Sequence, residues 1–263
     1  MNRRTPLEKR LAIPAGIVLV MMFVPVVVVL GIAFGQSELY EFPPRALSLR
    51  WFENFFSNGS FVNSLFRVSL PLAIGVSLVA TLIGTLSAIG LHRSRFAGRQ
   101  ALETLFAIPV VFPQIILAVG LFLTFSRLGV PRGFLSMGLA HLVICVPYVI
   151  RSVLAGLSGI DPRLEEAAGN LGANPLQSFF LATLPLLRSS IISGAVFAFI
   201  VSFSDVNMAL FLSSANANPL TMQILSQMQY STDPTVAAAA TVQLVVIGIL
   251  LYVIQRLVGT LRT

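Results

Sequence analysis

Six long apolar runs constrain this chain more than any other feature of its sequence. They cover residues 11–34, 68–91, 102–125, 133–150, 189–212 and 236–255. A membrane-spanning helix needs about 20 mostly apolar residues, and the backbone inside hydrocarbon must satisfy its own hydrogen bonds. Only 10% of the 263 residues are charged, compared with about 25% in a soluble domain. We therefore predict an all-α membrane protein with six transmembrane helices, surrounded by membrane lipid.

The basic residues are distributed unevenly over the segments that join these runs. If the N-terminus lies inside the cell, twelve of the 17 lysines and arginines fall in inner segments and five in outer ones. Inner loops of membrane proteins carry the excess of positive charge, so we predict that both termini are cytoplasmic. The net charge of +7 does not predict a nucleic-acid partner, because that would require basic residues clustered on one face.

The sequence lacks the motifs of common catalytic and metal sites. Lys9 is the only lysine, so the phosphate-binding motif GxxxxGK[ST] is absent. The nucleophile motif GxSxG does not occur either. His92 and His141 belong to different spans, whereas a structural zinc site needs about four converging ligands. We predict no catalytic residue, no metal site and no cofactor in this chain; a hydrolytic site assembled from distant spans is left open.

The long inner loop, from about residue 151 to 188, is predicted to form two short helices. An Asp-Pro pair at residue 161 and an Asn-Pro pair at residue 174 each supply a side-chain N-cap followed by proline at the first helical position. Gly172 between them is suited to ending the first helix, since glycine readily adopts positive φ. Leu184-Pro185 is predicted to end the second helix where the chain re-enters the membrane.

This loop also carries an extended motif. Glu166-Ala167-Ala168 is followed after three residues by Gly172 and after eleven more by Leu184-Pro185. The string resembles the EAA loop of the membrane-spanning subunits of type I ATP-binding-cassette (ABC) importers. The resemblance assigns coupling to a partner ATPase to Glu165, Glu166, Ala167, Ala168, Gly172, Leu184 and Pro185. The alternative is a solvated first helical turn, whose two glutamates only favour the helix dipole.

The resemblance implies a type I ABC importer transmembrane domain in the bacterial inner membrane. Residues 1–60 would hold the N-terminal tail, the first helix and an outer segment. Residues 61–256 would form the permease domain, with the coupling loop at 161–185, and residues 257–263 a cytoplasmic tail. The implied partners are two copies of an ABC ATPase, a second, different permease chain and a periplasmic or extracellular solute-binding protein. ATP and magnesium would be bound by the partner ATPase.

Asp205 is the one acidic residue deep inside a predicted span. An intramembrane carboxylate faces the bundle interior or an aqueous cavity by default, so Asp205 is a candidate for the translocation pathway; bonding to a neighbouring helix is the equal alternative. Asn207 and Gln114 are lesser candidates for the pathway, although on a continuous helix Asn207 would lie about 200° around the axis from Asp205. His141 is interpreted as a packing residue.

The residues around Asp205 bear on the solute. The string 202–207, Ser-Phe-Ser-Asp-Val-Asn, resembles part of the fifth span of polyamine-type permeases, which implies a polyamine-like or amine-bearing solute. Importers for an aminophosphonate, an opine or a metal ion are alternatives. An ion-coupled secondary transporter is the alternative from another class, although such proteins favour several intramembrane acidic groups and inverted repeats. A channel or a purely structural membrane protein is the third class of function considered.

Overall fold

The computed structural model describes residues 6–94, 96–161 and 163–259. The regular secondary structure of the described chain is helical, and two isolated β-bridges join Gly35 to Leu47 and Ser214 to Ala217. Pro162, the proline of the first predicted helix start, lies outside the described residues, as do the first five and last four residues of the chain.

The helices are numbered α1 to α13 in chain order. They are Pro6–Ala33, Arg50–Ser57, Gly59–Asn63, Leu70–Arg93, Arg99–Val111, Gln114–Arg127, Phe134–Ser158, Arg163–Asn170, Pro175–Ser178, Leu184–Ser204, Asn207–Leu212, Leu220–Tyr230 and Thr235–Gly259. Two π-helical turns join consecutive helices: Ser64–Ser69 joins α3 to α4, and Phe179–Thr183 joins α9 to α10.

The predicted membrane-spanning helices are present. Five helical stretches of the described chain are long and apolar enough to cross a membrane, and a bent pair, α5 with α6, makes a sixth if it counts as one span. Large apolar side chains along α1, such as Met21 and Met22, are more than 60% exposed. Such a surface suits hydrocarbon rather than water, so the helical architecture agrees with an all-α membrane protein.

The third apolar run is broken into two helices, next to one of the two prolines, Pro109 and Pro113, that predict a local opening of the helix near Gln114. Its two halves, α5 and α6, meet at an angle of 103°. The break falls at Phe112-Pro113, where Phe112 is extended, with ψ of 142°. A proline lacks the amide proton that the helix would use and disfavours helical geometry at the preceding residue. Pro109 lies inside α5 without ending it.

The predicted end of the second loop helix at Leu184-Pro185 is wrong. The π-turn Phe179–Thr183 carries the helix onward, and the amide of Leu184 bonds to the carbonyl of Phe179, five residues back. Pro185 then lies in the first turn of α10, directly after the π-turn. The same arrangement, a π-turn directly before a Leu-Pro pair, precedes Pro71.

The chain divides into two compact units, Met1–Val62 with Ile224–Val246 and Asn63–Gln223 with Ile247–Thr263. In the first, Trp51, Phe55 and Phe61 are buried. In the second, α4, α7 and α10 pack on one another in pairs and form the core that carries the residues considered below.

Small residues permit the close approach of these three helices. A Cβ atom on Gly84 of α4 would lie 2.6 Å from Cβ of Val149 on α7, and one on Gly194 of α10 would lie 3.1 Å from Cα of the same valine. Membrane helices associate through such van der Waals packing at small residues. Two glycines of α4, Gly75 and Gly90, have open space at that position among the described atoms and do not serve this purpose.

The orientation of the chain stays a prediction, and cysteine labelling tests it. Ser94 and Asn170 are exposed in predicted inner segments, and Asn216 is exposed in a predicted outer one. We expect a cysteine at Asn216 to react with a membrane-impermeant maleimide in intact cells, and cysteines at the two inner positions to react only after permeabilisation. The native Cys145 is buried and is replaced by alanine in the background. The reverse labelling pattern would overturn the predicted orientation.

Candidate functional site

The inner loop begins with a short, well-defined helix. The Asp161 carboxylate accepts a hydrogen bond of 3.0 Å from the amide of Arg163, so the predicted N-cap of α8 is confirmed. The helix ends at Asn170, and Gly172 just beyond it has φ of +93°. The amide of Gly172 donates to the carbonyl of Gly169 at 2.9 Å, and that of Ala173 to the carbonyl of Ala168 at 3.1 Å. These two bonds form a Schellman motif.

The second helix of the loop, α9, starts at Pro175 with a reciprocal cap at Asn174. The amide of Gln177 donates to the side-chain oxygen of Asn174 at 2.9 Å. The amide of Asn174 donates in return to the side-chain oxygen of Gln177 at 2.9 Å. Such a capping box satisfies two amide donors at once, and it fixes the angle at which the chain leaves Gly172. The predicted Asn-Pro start at residue 174 is confirmed.

The loop presents one acidic and several apolar side chains to its surroundings. Glu166 and Ala167 are exposed, and Ala168 is half-buried. Leu171 and Leu176, which flank the turn at Gly172, are 90% and 69% exposed. Exposed leucines next to a rigid turn are typical of a surface that another protein covers. We refer to Glu166, Leu171 and Leu176 as the knob surface.

Glu165 does not share the orientation of Glu166. Its carboxylate accepts a hydrogen bond from Nη2 of Arg93, the last residue of α4, at 2.5 Å. It also accepts one from the hydroxyl of Thr183, at the end of the second π-turn. The guanidinium of Arg93 lies 4.9 Å from the ring centre of Phe179. The family resemblance assigns the same role to Glu165 and Glu166, whereas the structure turns the first inward and the second outward.

A polar cluster lies at the break of the fifth apolar run. That run is two helices, α10 and α11, separated by Asp205 and Val206. Asp205 Oδ1 accepts a hydrogen bond of 2.7 Å from the amide of Met208, and the Asp205 side chain is only 3% exposed. An aspartate that accepts from an amide three residues ahead acts as an N-cap. The predicted continuous helix over 189–212 is therefore wrong, because Asp205 starts a new helix.

His141 on α7 completes this cluster. Its Nε2 lies 3.7 Å from Asp205 Oδ1, and its Nδ1 is 2.8 Å from the hydroxyl of Ser202. The imidazole is buried, and Nε2 has no hydrogen-bond partner within the described chain. Sequence reasoning missed this contact. The available signal was the need of a buried aspartate for a polar partner on a neighbouring span.

The other two pathway candidates meet at the broken helices. Asn207 Nδ2 donates to Gln114 Oε1 at 2.9 Å. Asn207 is the first residue of α11 and Gln114 the first of α6, so this bond joins the two breaks. Because the helix is interrupted between Asp205 and Asn207, the predicted 200° separation of their side chains does not apply. Asp205, Asn207 and Gln114 thus belong to one region of the core unit.

Irregular backbone at membrane depth is tolerated where protein or a water-filled cavity covers it. Two such breaks, joined by polar side chains, could bind a polar solute or hold the bundle together. The described residues contain no group of three or more histidine, cysteine, aspartate or glutamate side chains that could hold a metal ion.

Known proteins are similar to this chain over both the inner loop and the helix breaks. The sequence profile of the family described as "binding-protein-dependent transport system inner membrane component" matches residues 80–261, a range that includes the inner loop and both helix breaks. The spermidine/putrescine transport system permease protein PotC of Haemophilus influenzae is 31% identical over 237 residues, covering 90% of this chain and 91% of that protein. The putrescine transport system permease protein PotI of Escherichia coli K12 is 32% identical over 235 residues, covering 87% and 83%.

A solved structure agrees in fold. A bacterial alginate ABC transporter in complex with a periplasmic protein contains a chain that superposes with a TM-score of 0.72, at 17% identity, covering 95% of this chain and 93% of that one. The profile match spans more than two thirds of the chain, and the polyamine permeases align over most of their length. This chain belongs to the family of binding-protein-dependent transport system inner membrane components, the multi-pass permease subunits of ABC importers.

Proposed function

We propose that this chain is one of two membrane subunits of an importer driven by ATP that a separate ATPase hydrolyses. The knob surface on the inner loop carries this proposal. Two helices capped at Asp161 and Asn174 and joined at Gly172 hold it rigidly. Its exposed leucines fit a groove of a soluble protein, and the exposed Glu166 carboxylate fits an arginine there, as a charge-assisted hydrogen bond.

The family resemblance implies the remaining partners. A second, different permease chain would complete the pore, two ATPase copies would bind ATP and magnesium, and a periplasmic or extracellular binding protein would deliver the solute. Closure of the ATPases on ATP would move the loop 161–185 and switch the paired bundles from inward-open to outward-open. The chain itself performs no chemistry in this scheme.

The proposed solute is a polyamine or another small amine. Relatives named for spermidine and putrescine transport support this assignment. Asp205 adds a physical reason, because a carboxylate in the core favours a cationic solute. Asn207 and Gln114, which are half-buried, would supply neutral hydrogen-bonding groups at the same broken helices. We propose these three residues for the translocation pathway.

Reconstitution of the complete importer tests the proposal. The chain, its partner permease, the ATPase and the binding protein are purified as a complex and placed in proteoliposomes. We expect uptake of radiolabelled spermidine or putrescine that requires both ATP and the binding protein. Uptake that follows an ion gradient in the absence of the ATPase would instead support a secondary transporter. A complex that hydrolyses ATP and imports only a different solute would overturn the polyamine assignment alone.

A further inference from the structure

One carboxylate joins the inner loop to two membrane helices. Glu165, near the start of α8, accepts hydrogen bonds from Arg93 at the end of α4 and from Thr183 at the start of α10. We propose that Arg93, Glu165 and Thr183 form a latch that makes the inner loop move together with α4 and α10. The inference rests on the proposed coupling function and assigns Glu165 a positioning role inside the chain rather than a contact with the ATPase.

The surroundings of the latch restrict its geometry. Thr183 is buried, so its hydroxyl is held in place while it donates to Glu165. The Arg93 guanidinium packs over the Phe179 ring, 4.9 Å from its centre, a distance typical of a cation–π contact. Both Phe179 and Thr183 belong to the π-turn that leads into α10. Arg93 therefore makes two contacts: it packs on the turn through the Phe179 ring, and it forms an ion pair with Glu165.

Apart from the latch, α8 packs mainly against α9 and the π-turn. Along the chain, α8 reaches α10 through the turn at Gly172, the four-residue helix α9 and the π-turn. The turn at Gly172 is held by its own backbone hydrogen bonds, but a Cβ atom there would have open space around it, so this glycine is not packed against the helices of the core. The Glu165 contacts bypass this route and connect α8 directly to two helices of the packed core. A force applied to the knob surface would then move the core instead of bending the loop.

The exposure of these side chains agrees with different roles for Glu165 and Glu166. Arg93 and Glu165 are each a little over one third exposed, and exposed ion pairs contribute little to stability. Removing the latch should therefore leave the fold intact and affect the transmission of movement. Glu166 is exposed and free to face a partner. A local pair on α5, Arg99 with Glu103 at 2.9 Å, has similar exposure but joins two residues of one helix, which makes it a matched control.

The test measures solute imported per ATP hydrolysed, in proteoliposomes that contain the complete importer and radiolabelled spermidine. We expect Glu165→Arg and Arg93→Glu each to lower this ratio about tenfold, within the range typical of residues that carry coupling. The double exchange should recover part of the ratio, to a value above that of either single variant, because the ion pair reforms with its charges reversed while the contacts to Thr183 and Phe179 are lost. Thr183→Val should lower the ratio and Thr183→Ser should preserve it. Exchanging Arg99 and Glu103 should change nothing.

Several outcomes would overturn the latch. They are an unchanged ratio in both single variants, an absence of recovery in the double exchange, or a loss of ATPase from complexes purified with Glu165→Gln. The last result would make Glu165 an ATPase contact and leave the proposed function standing. If the wild-type permease neither retains the ATPase nor imports spermidine with ATP, the proposed function fails instead. The wild-type measurement alone decides that question, so the two failures are distinguishable.

Discussion

Replacing Glu166 with lysine should abolish ATP-driven solute uptake while the permease stays folded in the membrane. Glu166 is exposed on a helix whose two ends are fixed, by Asp161 at one and Gly172 at the other. A lysine there would place a positive charge against the proposed arginine of the ATPase, and the partner charge would be left buried and unpaired. We expect uptake to fall by about 100-fold or more, the scale found when one member of a desolvated charge pair is lost.

The measurement pairs uptake in proteoliposomes with ATP hydrolysis by the same complex. Glu166→Gln retains the shape of the side chain and should give an intermediate loss. Gln100→Lys introduces the same charge at an exposed position near the start of α5 and should leave uptake unchanged. Wild-type uptake by Glu166→Lys would rule out the inner loop as the contact through which ATP hydrolysis drives transport.

The inner loop could be predicted from the sequence because its structure is determined locally. The side chains of Asp161 and Asn174 bond to amides two and three residues ahead, and Gly172 provides the positive φ that ends the first helix. Each of these signals lies within a few residues of its effect. The family motif overlies the same residues, so chemistry and local geometry indicated the same segment.

The opposite orientations of Glu165 and Glu166 could not be predicted in this way. They depend on Arg93 and Thr183, which lie 72 and 18 residues from Glu165 in the sequence. The continuation of the helix through Pro185 depends likewise on the amide of Leu184 finding a carbonyl five residues back. Proline statistics alone favour a helix end there.

The break at Asp205 shows the same limit inside the membrane. A long apolar run predicts one helix, because hydropathy does not reveal whether a polar side chain will bond to the backbone. Asp205 does so, and it lies beside His141 on another helix, 64 residues away. The residues of the proposed pathway were identified by their polarity in an apolar run. How these residues are arranged relative to one another could be seen only in the folded structure.

Replacing Asp205 with asparagine should reduce uptake of a cationic solute while preserving the complex. Asparagine still offers a carbonyl oxygen to the amide of Met208, so the cap on α11 survives. The negative charge is lost, and uptake of spermidine should fall about tenfold or more, since a hydrogen bond to a charged group contributes about 1.5–3 kcal/mol. Initial uptake rates are measured beside the amount of ATPase retained and the thermal stability in detergent.

Two further variants separate charge from structure. Asp205→Ala removes the cap and leaves a buried amide unpaired, so it should destabilise the protein by about 1–3 kcal/mol. Asp233→Asn makes the same chemical change at another aspartate that caps a helix, where its side chain accepts from the amide of Thr235 at 2.9 Å, and uptake should stay near wild type. If Asp205→Asn transports spermidine at the wild-type rate while Asp205→Ala is unstable, Asp205 only starts α11. If Asp205→Asn alone among the two asparagine variants loses uptake from an intact complex, the carboxylate acts on the solute.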